Sequence, residues 1–297
     1  MSVEHTAELP LMARVNAYLT MTKPDVTLLV VMTTAAGYCM GARGAVNWVA
    51  MLSAVFGTML VAAGTAVLNH YMERESDRLM RRTASRPLPS GVLQPIEALA
   101  FGVVLLAIGV AYLYFFAGWL PAALGGASSL VYLLAYTPLK TRTVWATFVG
   151  AFPGAAPPMI GWAAASGRLD IGAWVLFAIL FLWQFPHFQA IAWMYREDYA
   201  RAGILMLPVV DREGKRTFRQ ITVAAAILVA VSLLPTATGI AGRIYLFGAL
   251  VLSAALLQVC FWAANAKTNA RAKWLMHATV LHVPLLFGLM IYDKILR

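Results

Sequence analysis

A chain of 297 residues that is 61% hydrophobic and only 12% charged does not fit a soluble domain, which is about 45–50% apolar and about 25% charged; it needs lipid as part of its solvent. The net charge of +10 would by itself suit nucleic acid, but the cations follow a membrane topology, so no nucleic acid is expected as a partner. Cys39 and Cys260 fall inside apolar runs with no CxxC or metal-ligand spacing, which argues against a disulfide framework and a cysteine metal site.

In chain order, residues 1–25 are polar and mixed, with Pro10 and Pro24, and read as a cytoplasmic N-terminal segment. No short apolar core with a cleavage site precedes the first span, which is expected to act as its own uncleaved targeting signal. Nine apolar segments follow, near 26–42, 48–70, 96–117, 119–136, 144–165, 172–192, 221–240, 243–264 and 274–293. Most are about the 20 residues that cross a hydrocarbon core as helix, and helix is required because lipid offers backbone groups no partner. The expected fold is therefore all-α: a polytopic membrane protein of nine transmembrane helices, with residues 26–293 as one transmembrane domain. With the N-terminus on one side, eighteen of the 23 lysines and arginines fall on that side and five on the other. This asymmetry places the N-terminus in the cytoplasm and the C-terminus opposite. The longest and most charged connections, near 70–95 and 193–220, are both cytoplasmic, so chemistry is expected there.

The end of the second span reads Asn69-His-Tyr-Met-Glu73-Arg-Glu-Ser-Asp77. Asn69, Glu73 and Asp77 sit at i, i+4 and i+8 and fan over roughly 80° of one helix face. His70, one residue on from Asn69, is expected to face away from that row. Ionisable groups this close to hydrocarbon are costly and persist when something compensates them. Mg²⁺ is a natural compensation, since it takes hard oxygen ligands from one or two carboxylates plus substrate phosphates. The spacing equally suits a charged helix end reaching into the cytoplasm. Arg81, Arg82 and Arg86 come next, and carboxylates for a metal followed by arginines for phosphate oxygens make a diphosphate site. Positive-inside anchoring would explain some of these arginines as well.

The string Asn69-x₃-Glu73-x₃-Asp77, then Arg82-Thr83 and Arg86-Pro87, resembles the first signature of the UbiA-type intramembrane prenyltransferases. Further segments are similar to the heme-acting branch of that superfamily: Lys23-Pro24, Tyr136-Thr137-Pro138-Leu139-Lys140, Pro186-His187-Phe188, and Asp198-Tyr199-Ala-Arg-Ala202-Gly203 followed by Met206-Leu207-Pro208-Val209-Val210. The resemblance runs from about residue 20 to 293. Glu73 stands where the pattern usually has Asp, and Gln184-Phe185 where Thr-Pro is expected. After Glu197 and Asp198 nothing acidic follows until Asp211, which favours the heme branch over enzymes that act on aromatic acids.

The resemblance implies transfer of a farnesyl group from farnesyl diphosphate to a vinyl group of protoheme IX (heme B), with hydration, giving heme O in a bacterial inner membrane. Heme A synthase or terminal oxidase assembly factors would be the partners downstream. It further implies Mg²⁺ held by Asn69, Glu73 and Asp77 on one side and Asp198 on the other, with Arg82, Arg86 and Lys140 on the diphosphate. Tyr71, Tyr136, Trp183, Phe188 and Tyr199 are candidates to line the path of the allylic cation. His187 is a candidate for the heme or prenyl pocket, and equally for an interhelical hydrogen bond; His277 and His282 are weaker candidates. A transferase with an aromatic or quinone-precursor acceptor, and a non-catalytic transporter, are the alternative readings. Gly37-x₃-Gly41 and Gly150-x₃-Gly154 suit close helix contacts.

Overall fold

The computed structural model describes residues 10–297, so residues 1–9 of the expected N-terminal segment lie outside the described residues. Among the described residues every regular element is helical. The segment before the first span is itself a helix, α1 (Leu11–Met21), which the mixed polarity of the sequence does not predict. Its Leu11, Met12, Val15 and Leu19 are exposed while Ala17 and Met21 are buried. An apolar stripe open on one side of a short helix suits the membrane interface. Arg14 pairs with Glu97 at 2.5 Å and ties α1 to the start of a later helix.

Among the described residues seven helices are long and apolar enough to cross a membrane, against the nine expected. They are α3 (Trp48–Leu79), α4 (Pro95–Phe116), α5 (Trp119–Leu139), α8 (Ile171–Met194), α10 (Lys215–Ser232, extended by a short turn to Ala237), α11 (Arg243–Ala266) and α12 (Asn269–Ile295). The segment 26–42 forms α2 (Pro24–Gly41), an 18-residue helix that falls outside this set; Pro24, Asp25 and three threonines dilute its apolar content. The segment 144–165 breaks into α6 (Ala146–Ala155) and α7 (Pro157–Ser166), ten residues each. The cause is local: Pro153, Pro157 and Pro158 each lack an N–H, and a proline ring clashes with the carbonyl four residues back.

The helices pack with small residues at their crossings, as lipid-embedded helices do where apolar burial alone gives no drive to associate. α2 runs along α7 and α3, α3 along α4, and α8 touches α6, α10 and α12. At the α2–α7 crossing, a Cβ on Gly37 would strike the Pro158 backbone, and one on Gly161 would strike the Thr34 carbonyl. Gly150 likewise accepts the ring of Tyr136 against its backbone, and Gly154 accepts Gln184. Both small-x₃-small patterns are thus consumed inside one bundle. Gln184 is also explained: its amide donates to the Ala151 carbonyl at 2.9 Å, across to the broken pair α6/α7.

The end of the molecule remote from the carboxylate row is closed by the last turn of α12. Lys294 donates to the carbonyls of Cys39 (2.7 Å), Met40 (3.2 Å) and Ala42 (2.7 Å), capping the C-terminus of α2. Buried Asp293 accepts from the backbone N–H groups of Gly242 and Tyr245, capping the N-terminus of α11. Substituting Gly161 with Val should overpack the α2–α7 crossing and cost about 1–3 kcal/mol, read as a lower unfolding temperature in detergent. Gly288→Ala, at a position with no neighbour within 4 Å, should leave that temperature unchanged.

Candidate active site

At 1.5 Å per residue the 32 residues of α3 extend about 48 Å, well beyond the roughly 30 Å of a hydrocarbon core. The overhang carries Asn69, Glu73 and Asp77. Yet Asn69 is 0% and Asp77 1% exposed, so the projecting end is wrapped by protein rather than water. The wrapping comes from the α1–α2 junction, from the segment between α3 and α4, and from the end of α5.

Each acceptor in the row is paired with a cation from a different segment. Lys23 donates to Asn69 Oδ1 at 2.8 Å. Lys140 donates to Glu73 Oε1 at 2.6 Å, both side chains being 14% exposed. Arg86 donates through Nη1 to both Asp77 oxygens, at 2.9 and 2.8 Å. Thr83 donates to the Asp77 carbonyl at 2.8 Å and folds the loop back over the helix end, while Leu88 and Leu93 bury themselves against Met21, Val67 and Ala98. Asn69 also donates to Thr137 Oγ1 at 3.2 Å. Burial pulls the Lys140 ammonium down, but the Glu73 carboxylate more than offsets this and holds it well above its ordinary pKa. Lys23 goes the other way: burial lowers it to about 7, opposed by Glu73 and reinforced by the neighbouring charges of Lys140 and Arg86.

Local chain geometry explains how these cations arrive. Lys23 has φ +50°, a left-handed conformation unusual for a residue with a side chain. It is one of two non-glycine residues in that region among the described residues. Pro24, which follows it, disfavours the ordinary helical region at this position, and the resulting corner turns Lys23 toward Asn69. On α5, Pro138 cannot continue the hydrogen-bond ladder, and the helix widens into a π turn over Val131–Tyr136, a device frequent at functional sites. Thr137 bonds back to the Tyr132 carbonyl five residues earlier through both its N–H and its hydroxyl, the latter at 2.9 Å. The widening lets Tyr136 lie beneath Lys140, with Nζ 4.3 Å from its ring centroid. Lys140 and Glu73 open onto a cavity of about 210 Å³, lined also by Met72, Ser76, Thr137, Pro138, Thr141 and Ile204.

Asp198 belongs to a neighbouring cluster. It lies on α9 (Arg196–Arg201), pairs with Arg201 and accepts from the Arg82 backbone N–H at 3.3 Å. The Arg82 guanidinium stands 4.9 Å from the Tyr195 ring and 6.0 Å from the Tyr199 ring. Met80 packs with Ala192, Ala202, Ile204 and Met206, so the two long connections form one surface. The backbone N–H of Leu205 closes it by donating to the Lys140 carbonyl at 2.7 Å. Sequence-predicted Asn69, Glu73, Asp77, Arg86, Lys140 and Tyr136 therefore meet in one place, and Asp198, Arg82 and Tyr199 meet beside it.

His187 does not join either group. Its Nδ1 bonds Thr279 Oγ1 at 2.8 Å, and its ring stacks on Trp183 at 4.7 Å and meets Phe188 edge-on. The Trp183 indole donates to the Thr279 carbonyl at 2.7 Å, so this pair knits α8 to α12. Tyr71 lies under Arg74 and His277 is exposed. His70, expected to face away, is only 3% exposed and its Nε2 has no hydrogen-bond partner among the described residues. The row itself rotates: counted from Asn69, Asp77 lies at about 80° and His70 at about 100° around the helix, so His70 points along the Asp77 side. Lys23 was missed as a site residue because one lysine before a proline is indistinguishable from topological charge.

Among the described residues no three His, Cys, Asp or Glu side chains converge on one point. The donor set still fits Mg²⁺, which needs one or two carboxylates and completes its shell with waters and substrate phosphates. Asn69, Glu73 and Asp77 supply hard oxygens, and each is held by a cation able to transfer to a phosphate oxygen. Because one partner removed from a buried pair leaves an uncompensated charge, Arg86→Ala should lower the thermal midpoint in detergent. Arg86→Ala combined with Asp77→Ala should recover part of that loss.

The UbiA prenyltransferase family model matches residues 30–283. A protoheme IX farnesyltransferase of Solibacter usitatus is 49% identical over 286 residues, covering 93% of this chain and 98% of the relative. That of Koribacter versatilis is 44% identical over 292 residues, covering 93% of each. Among solved structures, a digeranylgeranylglyceryl phosphate synthase superposes with a TM-score of 0.78 at 19% identity, over 96% of this chain and 99% of its own. A UbiA homolog from Archaeoglobus fulgidus bound to GPP and Mg²⁺ does so with a TM-score of 0.68 at 17% identity, over 92% and 99%. Sequence match, helical architecture and the acidic end of α3 agree: this chain belongs to the UbiA prenyltransferase family.

Proposed function

We propose that the chain transfers the farnesyl group of farnesyl diphosphate to a vinyl group of protoheme IX (heme B), with hydration, to give heme O. The observation that carries this reading is the cation-paired row at the end of α3, where Lys23, Arg86 and Lys140 hold Asn69, Asp77 and Glu73. It supplies both halves of a metal–diphosphate site in a chain whose relatives bear the name protoheme IX farnesyltransferase.

Bound Mg²⁺ would supply Lewis-acid stabilisation of the departing diphosphate, held by Asn69, Glu73 and Asp77, with Asp198 of the neighbouring cluster as the candidate ligand from the second loop. The chain's own residues do the rest. Arg86 and Lys140 exchange their carboxylate partners for phosphate oxygens, Arg82 gives up its side-chain contact with the Tyr199 hydroxyl for one, and all three stabilise the negative charge that grows as the allylic C–O bond breaks. The Tyr136 ring beneath Lys140 offers a π face to the developing allylic cation, as does Tyr199 beside Arg82; His187 shapes the apolar interior between α8 and α12. The vinyl terminal carbon forms the new C–C bond, and water adds at the carbon next to the macrocycle and gives up a proton.

The topology consistent with this chemistry is nine crossings of a bacterial inner membrane, with the N-terminus and both loops in the cytoplasm and the C-terminus opposite. Two contacts support it. α2 begins beside Asn69 and ends beneath Lys294, so it runs from one end of the molecule to the other. α5 ends at Lys140 beside Glu73, while Asp170, just before α8, lies 3.8 Å from Arg43 at the far end of α2. The broken pair α6/α7 therefore covers the same distance. A phosphatase fused after Arg297 should be active outside the cytoplasm, and one inserted after Ser90 should be silent.

Glu73→Ala with Asp77→Ala should reduce farnesyl transfer by at least about a hundredfold while the protein still inserts. Chelation of Mg²⁺ should do the same reversibly. The assay is mass spectrometry of heme after incubation with farnesyl diphosphate, with hydroxybenzoate as a competing acceptor. Prenylation of hydroxybenzoate alone would refute the acceptor assignment, and retained turnover in the double variant would refute the site.

A further inference from the structure

A second cavity, of about 280 Å³, lies on the same loop surface and is lined by Leu207, Arg216, Arg219, Gln220 and Val223. Four of these five come from the first two turns of α10, at i, i+3, i+4 and i+7, the spacing that gathers side chains on one helix face. Neither the Arg216 nor the Arg219 guanidinium makes an ion pair or hydrogen bond with any described residue. Gln220 is held in a defined orientation: its Oε1 accepts from Gln189 Nε2 at 2.7 Å, which leaves its NH₂ as the outward donor. Gln189 lies on α8, is 1% exposed, and its own Oε1 has no hydrogen-bond partner among the described residues. A buried amide spent on fixing one partly exposed glutamine is costly unless that glutamine is needed in place. The positive end of the α10 dipole adds to the field of the two guanidinium groups.

One short strip of chain contributes to both cavities. Ile204 lines one and Leu207 the other, and three residues span at most about 11 Å. The strip between them is pinned by the Leu205 N–H bonded to the Lys140 carbonyl. Two cations one helical turn apart, an amide donor and the apolar walls of Leu207 and Val223 fit a flat apolar molecule with two carboxylates along one edge. Protoheme IX has that chemistry, with its vinyl groups on a different part of the ring from its two propionates.

We propose that Arg216, Arg219 and Gln220 form the subsite for the acceptor's two carboxylates, so that the macrocycle is anchored at its acidic edge and presents a vinyl group toward the diphosphate site. The proposal rests on the heme-acting reading above. Gln189 is a positioning residue here, acting through Gln220. An anionic phospholipid headgroup is the competing source of negative charge, and the test separates the two.

The full chain, in nanodiscs of phosphatidylcholine alone, is titrated with protoheme IX and with its dimethyl ester, followed by Soret absorbance. The wild type should bind the diacid about tenfold more tightly than the diester, as befits two charge-assisted pairs to exposed arginines. Arg216→Gln with Arg219→Gln should abolish that preference and raise the KM for protoheme by about the same factor, with the KM for farnesyl diphosphate held at the wild-type value. Gln189→Leu should give a partial loss of the same preference. A double variant that still prefers the diacid, or a wild type with no preference, overturns the subsite. A response confined to nanodiscs containing phosphatidylglycerol, equal for diacid and diester, assigns the arginines to lipid phosphate and overturns it too. A wild type that transfers no farnesyl to protoheme would defeat the activity itself, while the titration would still decide the subsite.

Discussion

The buried carboxylates at the end of α3 cannot stand alone. Taking a carboxylate out of water costs several kcal/mol even after relaxation, and only a close counter-charge with good geometry repays it. Asp77, at 1% exposure, and Glu73, closely enclosed, therefore dictate where Arg86 and Lys140 must be. Those two in turn locate the loop after α3 and the end of α5. Lys23 extends the same arrangement to the α1–α2 junction through Asn69. Segments far apart in the chain are thus registered around one helix end by charge, in a molecule whose apolar packing is largely indifferent to sliding, because lipid and side chain are equally greasy.

Such pairs also make the ground state poised rather than inert. Asn69, Glu73 and Asp77 each have a cation able to move to a phosphate oxygen, and Lys140 and Arg86 each hold a carboxylate able to move to a metal. Under the proposed function the substrate head would exchange partners within a site whose carboxylates are already paired, and little reorganisation would be needed as charge moves onto the leaving group.

Much of this was legible in the sequence, because helices repeat. Asn69, Glu73 and Asp77 declare a common face by spacing alone, while Arg86 and Lys140 are singled out by the resemblance to the prenyltransferase pattern. The expectation that both loops are cytoplasmic rests on where the lysines and arginines fall. What escaped notice depended on chain geometry that spacing does not encode. Lys23 reaches Asn69 only through a left-handed corner. His70 looked averted when measured against Asn69, yet it shares the direction of Asp77, since the row drifts around the helix. Apolar content marked 144–165 as one span, but its prolines divide it in two. His187 and Trp183 seemed candidates for chemistry by their neighbours in sequence, whereas Thr279 on α12 occupies both.

The Lys294 cap has a consequence for biogenesis. Cys39 and Lys294 are 255 positions apart, so the carbonyls that end α2 emerge from the ribosome long before the ammonium that satisfies them. Throughout synthesis that helix terminus must borrow water or lipid headgroups as temporary partners. The ring of helices is latched only when the final turn of α12 arrives, which makes closure of the bundle a late, nonlocal event and leaves an interval in which insertion machinery can still rearrange the earlier spans.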